Sequence, residues 1–178
     1  MKQTTKLLFC FSFLFIAHSC ATFDKVQTTN SQPENDLSGT NIYLIGDGGK
    51  LENGQSSEAL NALNEKVKNS KKEDVLLFLG DNIYPKGMLT SNNEEAKKSL
   101  QAQIDVAKNF KGKVIFLPGN HDWYSGIDGL KEEEKRIEKA LGKKSFSPQN
   151  GCPLESFEVS KEIVIITVDS EWYLTDWD

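Results

Sequence analysis

The stretch that most limits how this chain can fold is residues 75–87, VLLFLGDNIYPKG. Its five consecutive apolar residues, 75–79, are too few for a helix and stop at Gly80. A run of that length bounded by a turn signal describes a strand buried on both faces, as inside a parallel sheet. It delivers Asp81, Asn82 and Tyr84 in close succession before Pro85 and Gly87 break the chain again. Open α/β sheets bind ligands just beyond the carboxyl ends of their strands, which is where these polar groups fall.

Two further stretches repeat the design. Residues 41–45 (NIYLI) run into Gly46-Asp47-Gly48-Gly49, and residues 113–117 (KVIFL) run into Pro118-Gly119-Asn120-His121-Asp122. If the three strands are parallel neighbours, Asp47, Asp81, Tyr84 and Asn120 converge on one end of the sheet. Carboxylate, phenolate and amide oxygens are ligands for hard and intermediate cations, so this is a candidate metal site. Each motif alone is weak, because Gly-Asp is common turn chemistry. A dinucleotide loop at Gly46 fails on detail: G-x-G-x-x-G needs glycine where Leu51 stands, and Asp47 would repel a pyrophosphate.

Helical periodicity fills the intervals. One helix is expected from Ser56 or Ser57 to Ser70, with Leu60, Leu63 and Val67 on one face and a serine as N-cap. A second is expected over 93–109 through Ala96, Leu100, Ile104 and Ala107. A third is expected over 128–141, closing at Gly142. The charged run 131–136 in that third helix reads as a solvated face. The β-α-β-α-β-α order predicts an α/β protein, a three-layer α/β sandwich. Beyond Leu154 a β-hairpin is expected, with strands at 156–159 and 163–168. The second of these is nearly all apolar, which predicts a central strand ending in Asp169.

Size and charge narrow the function classes. A chain of 178 residues suits one domain with a real core, and there are no internal repeats. The formal net charge is −5, and removing residues 1–19 takes away Lys2 and Lys6 and no acid, leaving −7. An acidic domain without a basic stripe argues against nucleic acid as a partner. Residues 1–19 have a basic start, an apolar stretch over 7–17 and the small residues Ala17 and Ser19 before Cys20, which together read as an export signal. Cys20 beside that cut suggests lipoprotein processing, although Ala17 and His18 depart from the usual lipobox. Residues 20–39 then serve as a flexible tether to a domain at 40–178. The expected location is the cell envelope, lipid-anchored through Cys20, with simple periplasmic or secreted export as the alternative. Cys152 implies no disulfide framework.

The ordered set G-D-x-G, G-D-N-x-Y and G-N-H-D, each after an expected strand, resembles the calcineurin-like metallophosphoesterase superfamily. Tyr84 three residues after Asp81, and glycine where most members carry a histidine in the first motif, is similar to its purple acid phosphatase branch. The resemblance covers residues 41–169. It implies that Asp47 and Tyr84 bind a first metal, that Asp81 bridges two metals and that Asn120 binds the second. His121 would act on the substrate without being a ligand. Asp122 is read as a loop cap first and as an orienting partner of His121 second.

The implied activity is hydrolysis of a small phosphorylated substrate by a water that two metal ions activate. The implied metals are Fe(III) with Fe(II), Zn(II) or Mn(II). The family also draws several histidines from later strand ends, whereas this chain holds two in all, of which His18 lies in the export signal. The sequence is therefore expected to be the N-terminal half of such a domain, incomplete at its C-terminus and of little activity by itself. The competing expectation is a catalytically inactive, lipid-anchored binding module that keeps the fold.

Overall fold

A computed structural model describes residues 39–88 and 93–177. The export signal, Cys20 and nearly all of the expected tether lie outside the described residues. Three strands, β1 (Ile42–Ile45), β2 (Val75–Phe78) and β3 (Lys113–Phe116), form a parallel sheet in that order. The register sets Ile42 beside Val75 and Val75 beside Lys113. β2 is central and all four of its residues are buried, as its continuous apolar run requires.

Helices occupy the crossovers. α1 (Glu58–Val67) starts at Ser57, whose side chain accepts the Leu60 N–H at 3.2 Å. α2 (Glu94–Lys108) starts at Asn93, which caps Ala96 N–H at 3.1 Å. A one-turn helix α3 (Asn120–Trp123) follows β3, and α4 (Gly126–Leu141) follows it directly. Among the described residues no helix is long and apolar enough to cross a membrane.

Helices cover one face of the sheet; on the other a hairpin covers β2 and β3, while Ile42 and Leu44 of β1 remain exposed. On the helix face, Leu76, Phe78 and Phe116 join Leu60, Val67, Leu100, Ile104, Leu130 and Ile137. The rings of Phe78 and Phe116 stack there at 4.0 Å. On the other, Val75, Leu77 and Ile115 meet Phe157, Val159 and Ile165. Those residues belong to or border an antiparallel hairpin, β4 (Leu154–Glu158) with β5 (Val164–Val168). The three layers are thus helices, parallel sheet and hairpin. A short bridge links the two sheets: Phe116 pairs with Phe146, and Ser147 Oγ lies 2.7 Å from Thr167 Oγ1.

Two expectations need correction. β5 is not a central strand, because its one partner among the described residues is β4. Ile165 and Thr167 turn inward, while Val164, Ile166 and Val168 are exposed, Ile166 at 63%. An apolar run states that both faces are apolar, not that both are covered. The charged run 131–136 is not a uniformly solvated face either, since Glu133 is 0% and Glu134 8% exposed.

Candidate active site

The loops that follow β1, β2 and β3 are bonded to one another. Asp47 N–H donates to Gly80 O at 3.1 Å, and Gly49 N–H donates to Asp81 O at 3.1 Å. His121 N–H donates to Asp81 Oδ1, also at 3.1 Å. The second and third loops touch through glycines. A Cβ on Gly80 (φ +102°) would fall 2.7 Å from Gly119 Cα, and a Cβ on Gly119 would fall 2.3 Å from Asp81 Oδ1. Side chains at either position would force the loops apart.

Asp47 and Asp81 are both in the left-handed region, with φ of 56° and 55°. Aspartate is among the few non-glycine residues that enter it readily. Their carboxylates meet at the Tyr84 hydroxyl, which donates to Asp47 Oδ1 at 2.5 Å and lies 2.8 Å from Asp81 Oδ2. Burial, and then the two carboxylates, hold the Tyr84 phenol well above its usual pKa. Oxygens from the first and second loops therefore converge on one point.

Asn120 and Tyr124 line the same cavity of about 490 Å³ as Asp47 and Asp81. Asn120 does not reach the Tyr84 cluster; its Nδ2 donates to Tyr124 Oη at 2.7 Å. His121 lies beside Tyr84, ring centroids 4.2 Å apart, and its Nδ1 is 2.8 Å from Pro85 O. A carbonyl only accepts, so Nδ1 carries the proton and Nε2 is the nitrogen left for chemistry.

Beneath the loops lies a buried polar knot. Asp122 accepts N–H groups from Gly119, Asn82 and Ile83 at 2.8, 3.1 and 2.9 Å, which clamps the second loop to the third. Asn82 Nδ2 reaches Leu117 O at 2.6 Å and Glu133 Oε1 at 3.1 Å. Three N–H donors favour the charged form of Asp122. Glu133 Oε2 has no partner as a carboxylate. Burial first, and the neighbouring Asp122 charge second, raise the Glu133 pKa well above the usual range.

Sequence reasoning missed Glu133 and Tyr124. Glu133 follows Leu130 by three residues and precedes Ile137 by four, which puts it on the buried stripe of α4. That spacing was the available signal. Tyr124 follows Asn120 by one helical turn, a signal hidden because α3 has only four residues.

Among the described residues no three His, Cys, Asp or Glu side chains group as a metal cage. The donors that do converge are two carboxylates and a phenol, with an amide across the cavity. That oxygen set fits a hard cation. It would hold one ion at Asp47, Asp81 and Tyr84 and a second incompletely at Asp81 and Asn120.

Comparison with curated proteins and with solved structures returns no match. A family model described as calcineurin-like phosphoesterase matches residues 40–167, more than half of the chain and all three loops. Proteins of that family hydrolyse phosphoric esters and generally depend on two metal ions. With its loops after β1, β2 and β3 all inside the match, this chain belongs to the calcineurin-like phosphoesterase family.

Proposed function

We propose that this chain carries the first half of a two-metal phosphoesterase centre of the purple acid phosphatase type. The observation that carries this reading is the Tyr84 hydroxyl held between Asp47 and Asp81. A cation there would replace the shared phenol proton, with Asp81 bridging towards Asn120. What two ions supply when bound is a nucleophile at neutral pH and relief of charge on the phosphoryl oxygens. His121, anchored through Nδ1, turns Nε2 to the substrate; as the imidazolium, with a second proton on Nε2, it donates to a phosphoryl oxygen or gives that proton to the leaving alkoxide and returns to the neutral ring. Such proton transfer is worth about 10²–10⁴-fold in rate.

Loading with iron tests the branch. Fe(III) on Tyr84 gives a phenolate absorption band in the visible, and Tyr84→Phe removes it while the fold stays intact. Iron-loaded protein without a band would leave an ordinary pair of divalent ions as the better description. The four donors, one of them shared, support a chain that completes its centre with further histidines. The 178 residues then turn over an aryl phosphate slowly or not at all with added Fe, Zn or Mn. Metal-dependent turnover that Asp81→Asn abolishes would mean that these residues suffice.

The second reading, an inactive binding module, draws on the absence of a His, Cys, Asp or Glu cage among the described residues. No metal binding, even in protein extended with the further histidines, would decide for it. The substrate is a small phosphate ester. Membrane association runs through acylation of Cys20, so Cys20→Ser releases the protein from membranes; wild-type protein that is wholly soluble after export indicates plain secretion.

A further inference from the structure

We propose that Tyr124 orients the side-chain amide of Asn120 so that its oxygen, not its nitrogen, faces the metal position. The inference rests on the two-metal reading above and adds a positioning residue to it. Asn120 opens α3 and Tyr124 follows four residues later, so the two side chains share one face of the turn. Asn120 Nδ2 donates to Tyr124 Oη at 2.7 Å.

An amide offers an acceptor oxygen on one side and an NH₂ group on the other, and only the oxygen can bind a cation. With the NH₂ engaged by Tyr124, Oδ1 is the atom left for the cavity that both residues line with Asp47 and Asp81. Turned the other way, Asn120 would present N–H groups to a cation and repel it. Tyr124 is itself placed by the His121 ring, centroids 4.8 Å apart. Carboxylates such as Asp47 and Asp81 need no such orientation, because both of their oxygens bind metal. Asn120 is the one proposed ligand whose two ends differ, and it is the one with this bond. Outer partners of metal ligands typically matter by about 10–100-fold in affinity.

The test is Mn²⁺ binding to the full 178-residue chain, followed by the EPR signal of free Mn²⁺. Asn120→Ala identifies the Mn²⁺ site to which Asn120 contributes. Tyr124→Phe keeps the ring and its contact with His121 but removes the hydroxyl. It should raise the dissociation constant of that site about tenfold, with the thermal midpoint unchanged. In the Asn120→Ala background the same change should alter binding by about twofold at most, because the amide it orients is gone. Equal affinities of wild type and Tyr124→Phe, or a full tenfold loss in the Asn120→Ala background, overturn the positioning role and leave the metal site standing. A wild-type chain that binds no Mn²⁺, or an Asn120→Ala chain that binds it as wild type does, overturns Asn120 as a ligand in this chain and the positioning role with it.

Discussion

Asp122 and Glu133 meet as fully buried carboxyl groups around the side chain of Asn82, one from the loop after β3 and the other from α4. Their environments differ. Asp122 accepts three backbone N–H groups, whereas Glu133 accepts one amide N–H. Burial pushes the Asp122 carboxyl up to about 7, aided by the Asp81 charge and opposed by the three N–H donors. Glu133 is raised well above its usual range by burial and by Asp122.

Stability should therefore fall in mildly alkaline solution. Both groups bind protons more tightly folded than unfolded, so their contribution is complete below the ordinary carboxylate range. It is lost as pH rises through the raised folded values. Urea unfolding should show a lower midpoint at about pH 8.5 than at about pH 5.5. Glu133→Gln keeps a hydrogen-bonding group of the same shape without a titrating proton and should reduce that slope, leaving the contribution of Asp122, itself raised chiefly by burial, and those of Asp169 and Glu134, both also raised by burial. An unchanged slope in Glu133→Gln would show that Glu133 does not hold an extra proton in the fold.

Gly119→Ala probes the contact between the second and third loops. The added Cβ would lie 2.3 Å from Asp81 Oδ1 and 2.4 Å from Asp81 N, so Asp81 has to move. Overpacking of this kind costs about 1–3 kcal/mol, and here the displaced group is the proposed bridging ligand. The expected result is a folded chain that binds Mn²⁺ at least tenfold more weakly, an effect of the size seen when the support of a ligand is lost. Wild-type Mn²⁺ affinity in this variant would mean that Asp81 contributes nothing to the site.

Much of this arrangement was legible because the strands of this parallel sheet write themselves as short apolar runs, and each ends in a glycine and an oxygen-bearing side chain. Ser57 and Asn93 marked the helix starts through their own chemistry. The position of β5 was not legible, since Val164, Ile166 and Val168 are as apolar as buried residues and yet exposed. Glu133 was obscured because a glutamate in a charged run looks solvated until a partner carboxylate and an amide are brought to it by the fold. The bond between Asn120 and Tyr124 needed α3, a helix too short to leave a periodicity.

The stacked pair Phe78 and Phe116 sets the energetic centre of the helix-side core, both rings at most 1% exposed. Phe78→Ala leaves a cavity directly under the loop that carries Asp81 and should cost about 3–5 kcal/mol. That is a large part of the stability of an ordinary domain, so the variant should be largely unfolded at 37 °C by circular dichroism. A loss below about 1 kcal/mol would mean that the core collapses around the gap.

The hairpin side of the parallel sheet is covered only in part. Ile42 and Leu44 pair in register with Val75 and Leu77 and so share their face, yet the hairpin residues packed there reach Val75, Leu77 and Ile115 and leave β1 open. Leu44 is 59% and Leu79 47% exposed. On the hairpin, Val164, Ile166 and Val168 form a second open row. Apolar patches of this kind, beside an edge strand whose one partner among the described residues is β2, favour association. The purified chain should therefore self-associate with rising concentration in light scattering. Leu44→Lys together with Ile166→Lys should suppress that association while lowering the unfolding midpoint little, because neither side chain leaves a packed position. If the double variant associates as strongly as wild type, the open face is not the surface through which the molecules meet; if it unfolds, the residues are packed and the face is not open.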